Sequence, residues 1–197
     1  MGQNQKNTHR YRWVVTITIW TFFLAILLSI VAQLLFGSVE SFFIAVFILL
    51  IIIFIGIFFD MIGIAATAAD EVPLLAKAAK KVPGAREALF LVRNADRFAN
   101  FCNDVVGDIA GIISGVLGAL LVIRLFQTGF IEENPMFSIV MTGFISALTV
   151  GGKAVGKMLA IEKSTEIILS FTIVLTRVEA ILPGRIFFGR NLPPRRK

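Results

Sequence analysis

Aspartate and asparagine side chains stand at the ends of long apolar segments, where together they could bind a metal cation. Asp60 follows a nearly unbroken apolar run, whereas Asn103, Asp104 and Asp108 begin another. If this second segment is α-helical, Asp104 and Asp108 lie one turn apart and share a face. Carboxylate and amide oxygens are the ligands that Mg²⁺ and Ca²⁺ prefer. Because an ionisable group at membrane depth costs about 2.5–3.5 kcal/mol even on a lenient insertion scale, these residues indicate a partner, a cavity or an ion.

Two lysines further along the chain offer a competing explanation for the aspartates. Lys153 and Lys157 lie in the segment Gly151-Gly152-Lys153-Ala154-Val155-Gly156-Lys157. In one interpretation the aspartates form a cation site in a cavity. In another, Lys153 pairs with one aspartate as a buried ion pair that fixes the positions of the helices and replaces a bound ion. A third possibility is a Lys–Asp pair that is switched by protons, as in a proton-coupled exchanger.

The composition is that of an integral membrane protein. Of 197 residues, 57% are hydrophobic and the mean hydropathy is +0.85, whereas soluble domains are about 45–50% apolar. The net charge of +6 comes from basic residues beside the apolar spans, so we expect no nucleic-acid partner. A lone cysteine, Cys102, excludes an intrachain disulfide and a multi-cysteine metal site. With one histidine and no nucleophile or phosphate-loop motif, we expect neither an enzyme nor an organic cofactor.

The pattern of apolar segments predicts an all-α membrane protein with four transmembrane helices. The spans are predicted at 13–36, 41–59, 100–123 and 136–152. Two short basic amphipathic helices, 70–81 and 85–94, should lie at the cytoplasmic face between spans two and three. A C-terminal juxtamembrane belt helix is predicted at 162–182, before a basic cytoplasmic tail. The distribution of lysine and arginine predicts a multi-pass protein of the cell membrane with both termini in the cytoplasm.

Glycines are spaced for close packing within two of these spans. Gly107, Gly111 and Gly115 repeat every four residues, which favours a packing seam between helices. In the fourth span, Gly151 and Gly152 would permit a kink or break, and non-helical backbone at membrane depth is tolerated where it lines a cavity. These glycines, with Gly143 and Gly156, therefore support a site in this span.

Several short motifs occur in an order that resembles a known family. They are Phe58-Phe59-Asp60 with Ala65-Ala66-Thr67-Ala68, Asn94-Ala95-Asp96-Arg97, Cys102-Asn103-Asp104-Val105-Val106-Gly107, and Gly152-Lys153-Ala154-Val155-Gly156-Lys157-Met158-Leu159-Ala160-Ile161. This series resembles the transmembrane domain of the CorC/CNNM magnesium transporters, the domain of unknown function twenty-one. The resemblance implies three parts: a basic N-terminus and an extra first span at 1–36, the CorC/CNNM-like domain at 37–182, and the tail at 183–197. The regulatory CBS pair of the family is not expected.

The resemblance implies a function and a set of site residues. It implies a homodimer in the lipid bilayer that transports a divalent cation, with magnesium as the substrate ion. Its metal site would be Asp60, Asn103, Asp104, Asp108 and Gly152. Lys153 stands where the family has a glutamate, and Lys157 matches a family lysine, so these two would act as an ion pair or gate. The alternative is a non-transporting scaffold or regulatory subunit, partnered with another membrane protein, in which a Lys–Asp pair replaces the ion.

Overall fold

The computed structural model describes residues 2–39, 41–129 and 131–181, and within these ranges every regular element is a helix. The elements in chain order are α1 (Gly2–Gly37), α2 (Phe42–Ala68), α3 (Glu71–Ala79), α4 (Ala85–Arg93), α5 (Ala95–Asn100), a π-helical segment (Phe101–Gly107), α6 (Asp108–Gln127), α7 (Pro135–Glu162) and α8 (Ser164–Ile181). α5, the π-helical segment and α6 form one continuous rod. The predicted all-α class is therefore confirmed.

Among the described residues, four helices are long and apolar enough to cross a membrane. They comprise Thr18–Gly37, Phe42–Ala68, Ala95–Gln127 and Pro135–Glu162. At 1.5 Å per residue, the 27 residues of α2 extend about 40 Å, which exceeds a hydrocarbon core of about 30 Å. The structure thus confirms a multi-pass arrangement with four candidate spans.

Beside the candidate site, two helices extend further than predicted. α2 does not end at Asp60 but continues to Ala68, so Asp60 lies inside a helix. α7 does not end at Gly152 but continues to Glu162, and it runs unbroken through the glycine pair. Gly152 instead packs against Ile57 of α2. A glycine at a close helix contact stabilises packing and leaves the backbone hydrogen bonds of the helix intact.

α2 is the central helix of the bundle and packs against α6, the π-helical segment and α7. Buried aliphatic side chains, Leu49 and Ile53 of α2 with Ile109 and Leu117 of the third span, form the core at this level. α1 is attached mainly through its last turns, where Phe36 is buried. The Arg124 guanidinium at the end of α6 lies 5.3 Å from the centre of the Phe36 ring and donates a hydrogen bond to the carbonyl of Val39.

The two predicted short helices form a hairpin, α3 and α4, that packs beneath α2. Gly84 allows the turn between them because its φ of +76° favours glycine. Arg93 Nε donates to Glu71 Oε2 at 3.0 Å and joins the two helices. The predicted belt helix is α8, whose Thr172 Oγ1 lies 3.0 Å from Gly84 O. Its first turn begins two residues later than predicted, and the predicted tail at 183–197 lies outside the described residues.

Candidate functional site

The polar end of the third span is π-helical rather than α-helical. The π-helical segment contains Asn103 and Asp104, whereas Asp108 is the first residue of α6. The prediction that Asp104 and Asp108 share one face of an α-helix was therefore wrong. The hydrogen bonds of a π turn join residue i to residue i+5, which changes the angle around the helix axis between the two side chains. Short π-helical turns occur often at functional sites.

Asp60 is a buried carboxylate in the middle of the bundle. The residue is 3% exposed, and its Oδ1 lies 3.6 Å from the position that a Cβ on Gly107 would occupy. Its Oδ2 lies 3.4 Å from Lys157 Nζ of α7. The side chain of Lys157 is 48% exposed, so this pair joins a buried anion to a cation that reaches solvent or headgroups.

Asn103 approaches the same helix interface one turn away. Its Oδ1 lies against Gly63, three residues beyond Asp60 on α2, while Gly107 lies four residues beyond Asn103. Asp60 and Asn103 are therefore about 5 Å apart along the helix axes. Within the described part of the chain, neither Asp60 Oδ2 nor Asn103 Oδ1 accepts a hydrogen bond, although both atoms are buried. Lys157 gives Asp60 an ion pair without hydrogen-bond geometry.

Lys153 and Asp108 form a second ion pair, between α7 and α6. Lys153 Nζ donates to Asp108 Oδ1 at 3.2 Å. The side chain of Lys153 is 18% exposed and that of Asp108 is 64% exposed. Lys153 thus pairs with an aspartate, as one interpretation of the sequence predicts. The pair is not fully buried, because the side chain of Asp108 is exposed.

The structure divides the predicted site residues between these two pairs. Asp60 pairs with Lys157 and lies near Asn103, whereas Asp108 pairs with Lys153. Of the remaining predictions, Asp104 is exposed and Gly152 contacts Ile57. Throughout the described ranges, no cluster of three or more His, Cys, Asp or Glu side chains is arranged to hold a metal ion.

Sequence reasoning did not identify the pairing of Lys157 with Asp60. The spacing of the two lysines could have indicated this pair. Lys153 and Lys157 are four residues apart and therefore lie on one face of α7, so both can pair with aspartates of neighbouring helices. Sequence reasoning also missed a cavity of about 460 Å³ between α6 and α7. Its lining includes Asp108 and Lys153 at one end and the hydroxyls of Ser114, Ser146 and Thr149.

Comparison with protein-family models, with curated proteins and with solved structures finds no match to this chain. The resemblance to the CorC/CNNM domain therefore stays a prediction from its short motifs. The functional argument depends on the geometry of the two pairs and of the cavity.

Proposed function

We propose that this protein is a membrane transporter of divalent cations, Mg²⁺ first, with Asp60 and Asn103 as its ion ligands. The supporting observation is that Asp60 Oδ2 and Asn103 Oδ1 are buried without a hydrogen bond from the described residues. A buried acceptor without a partner costs about 1–3 kcal/mol, and more when it is charged. A cation at this interface would satisfy both oxygens.

The small number of carboxylates suits a partly hydrated ion. Mg²⁺ dehydrates reluctantly and is commonly held by one or two carboxylates with several waters completing its octahedron. One buried carboxylate and one amide oxygen match that requirement better than they match a fully protein-enclosed Ca²⁺, which takes six to eight oxygens.

Lys157 would compete with the ion for Asp60. Its ammonium lies 3.4 Å from Asp60 Oδ2, where a second cation would meet strong repulsion. Since half of the lysine side chain is exposed, the flexible stem can move the ammonium toward water or headgroups. Release of the lysine would admit the ion, and its return would expel the ion.

A second function, a scaffold or regulatory subunit, is favoured by a different observation. Both lysines of α7 are already paired with aspartates, at 3.2 Å and 3.4 Å. The charges balance without an ion, and the pairs would fix the register of α7 against α2 and α6. For either function, we propose a homodimer in the cell membrane with both termini in the cytoplasm, as the motifs and the basic residues suggest.

Magnesium flux into proteoliposomes separates the two functions. The transporter predicts uptake by the wild-type protein and its loss in Asp60→Asn, because the amide carries no charge to hold the ion. The matched control is Asp104→Asn, which removes an exposed carboxylate from the same rod and should leave uptake unchanged. Wild-type protein that is folded but gives no uptake above empty liposomes would contradict the transporter and support the scaffold.

A further inference from the structure

We infer that the cavity between α6 and α7 is a hydrated half-channel that leads from the ion site toward the middle of the membrane, and that Ile145 closes its inner end. This inference rests on the proposed function and deepens it, since it names the path of the ion and the gate. It depends on the shape of the cavity, on the chemistry of its hydroxyl groups and on its position next to the Lys153–Asp108 pair.

The cavity extends from the charged end of the bundle toward the middle of the membrane. On α6 it is lined from Asp108 to Gly115, and on α7 from Lys153 to Ile145. Seven residues of helix correspond to about 10 Å, roughly a third of a hydrocarbon core of about 30 Å. A Cβ on Gly115 would meet no atom within 4 Å, so this glycine leaves the space open.

The hydroxyl groups in the cavity present oxygen lone pairs. Ser114 Oγ donates its proton to Gly111 O at 2.8 Å, and Thr149 Oγ1 donates to Ile145 O at 2.9 Å. Each hydroxyl then has only acceptor capacity left for the cavity. Together with the carboxylate of Asp108, these acceptors suit water and cations and disfavour anions.

Ile145 lies at the inner end of the cavity. Ile145 is 7% exposed, and its Cδ1 packs directly against Gly118 of α6. The contact depends on the absence of a side chain at Gly118. A branched apolar residue seated on a glycine closes the space between two helices, and loss of its branch would open it.

The outer end of the cavity adjoins the proposed ion site. Asp108 follows Gly107, which packs against Asp60. Lys153, which pairs with Asp108 at the mouth, is one turn from Lys157, which pairs with Asp60. The mouth of the cavity and the Asp60 carboxylate are therefore held by two lysines that lie one helical turn apart on α7.

Cysteine labelling tests whether water fills the cavity. Ser146→Cys and Thr149→Cys would be treated in liposomes with a membrane-impermeant, positively charged methanethiosulfonate, and wild-type protein, whose lone Cys102 is buried, gives the background. The control is Phe144→Cys, beside Ile145 on α7 but 64% exposed at the bundle surface. We expect the cavity cysteines to react at least about tenfold faster than the control, because only a hydrated thiol ionises to the reactive thiolate. Equal slow reaction at all three positions would show a lipid-filled groove and overturn the inference.

The gate is tested by a cysteine beyond it. Val122 of α6 lies one turn past Gly118, the residue on which Ile145 packs, and is 2% exposed. Val122→Cys should therefore stay unreactive, whereas Val122→Cys with Ile145→Ala should react. Reaction of Val122→Cys without the second change, or none with it in folded protein, would contradict a gate at Ile145. No ion is needed for labelling, so labelled cysteines without magnesium uptake would refute the proposed function alone, and uptake without labelling would refute only the half-channel.

Discussion

Asp60 and Lys157 differ in burial, and this difference decides what each contributes to stability. Asp60 is 3% exposed, so it depends on its partner, whereas the half-exposed side chain of Lys157 can find water or headgroups when the carboxylate is absent. Lys157→Met should therefore lower the free energy of unfolding by about 3 kcal/mol, because it leaves the buried carboxylate of Asp60 without an ion-pair partner. Asp60→Asn should cost only about 1 kcal/mol.

The measurement is denaturant unfolding of both single variants and of the double variant. The double variant should be nearly as stable as Asp60→Asn, because no unpaired charge remains in it. Equal costs for the two single changes, adding in the double variant, would show that the ion pair is not the dominant interaction of Asp60.

At the residue scale, the sequence indicated which side chains could belong to a site. It did not indicate which of these side chains contact each other. Asp60, Asn103 and the two lysines were candidates from their types and their positions beside apolar spans. The pairing of Lys157 with Asp60 depends on the continuation of α2 past Asp60, and that of Lys153 with Asp108 on the orientation of α6. Rotation of one helix against another is set by packing, which a hydropathy pattern does not contain.

Glycines in the bundle fall into two physical classes. At Gly63 an added methyl group would collide with the side chain of Asn103 and lie 3.1 Å from Cys102 Cβ. Gly63→Ala should therefore lower the free energy of unfolding by about 1–3 kcal/mol, the usual cost of overpacking, and should displace the Asn103 amide from its place in the proposed ion site.

Gly111→Ala is the matched control in the same bundle. Nothing lies within 4 Å of a Cβ at Gly111, so alanine should leave stability unchanged or raise it by up to about 1 kcal/mol through its higher helix propensity. Thermal unfolding of both variants measures the difference. If the two substitutions had the same effect, the close contact between α2 and the π-helical segment would be wrong.

At the element scale, helix number and most boundaries followed from the sequence. The two short helices were predicted as basic amphipathic segments and the belt helix as an apolar segment that carries a few charges, and all three occur close to the predicted ranges. The π-helical segment was not predicted, because its residues have the same apolar periodicity as an α-helix. The extension of α7 past Gly152 was also not predicted; a glycine pair permits either a kink or a close packing contact, and Gly152 has the packing contact.

For the whole molecule, charge and packing are concentrated at one end of the bundle. Both Lys–Asp pairs, the α3–α4 hairpin and α8 lie there, while the other end is held by Arg124 against Phe36 and Val39. This polarity fits the proposed ion site, which would open on one side of the membrane, and the proposed closure at Ile145.

The most direct test of the account is the effect of Mg²⁺ on unfolding of the wild type, Lys157→Met and Asp60→Asn. If the ion and the lysine compete for Asp60, Mg²⁺ should raise the unfolding temperature of the wild type and raise that of Lys157→Met further. A ligand at one hundred times its Kd stabilises by about 2.7 kcal/mol, close to the loss expected from Lys157→Met. Asp60→Asn should not respond. A shift of the same size in all three proteins, or in none of them, would contradict a cation site at Asp60.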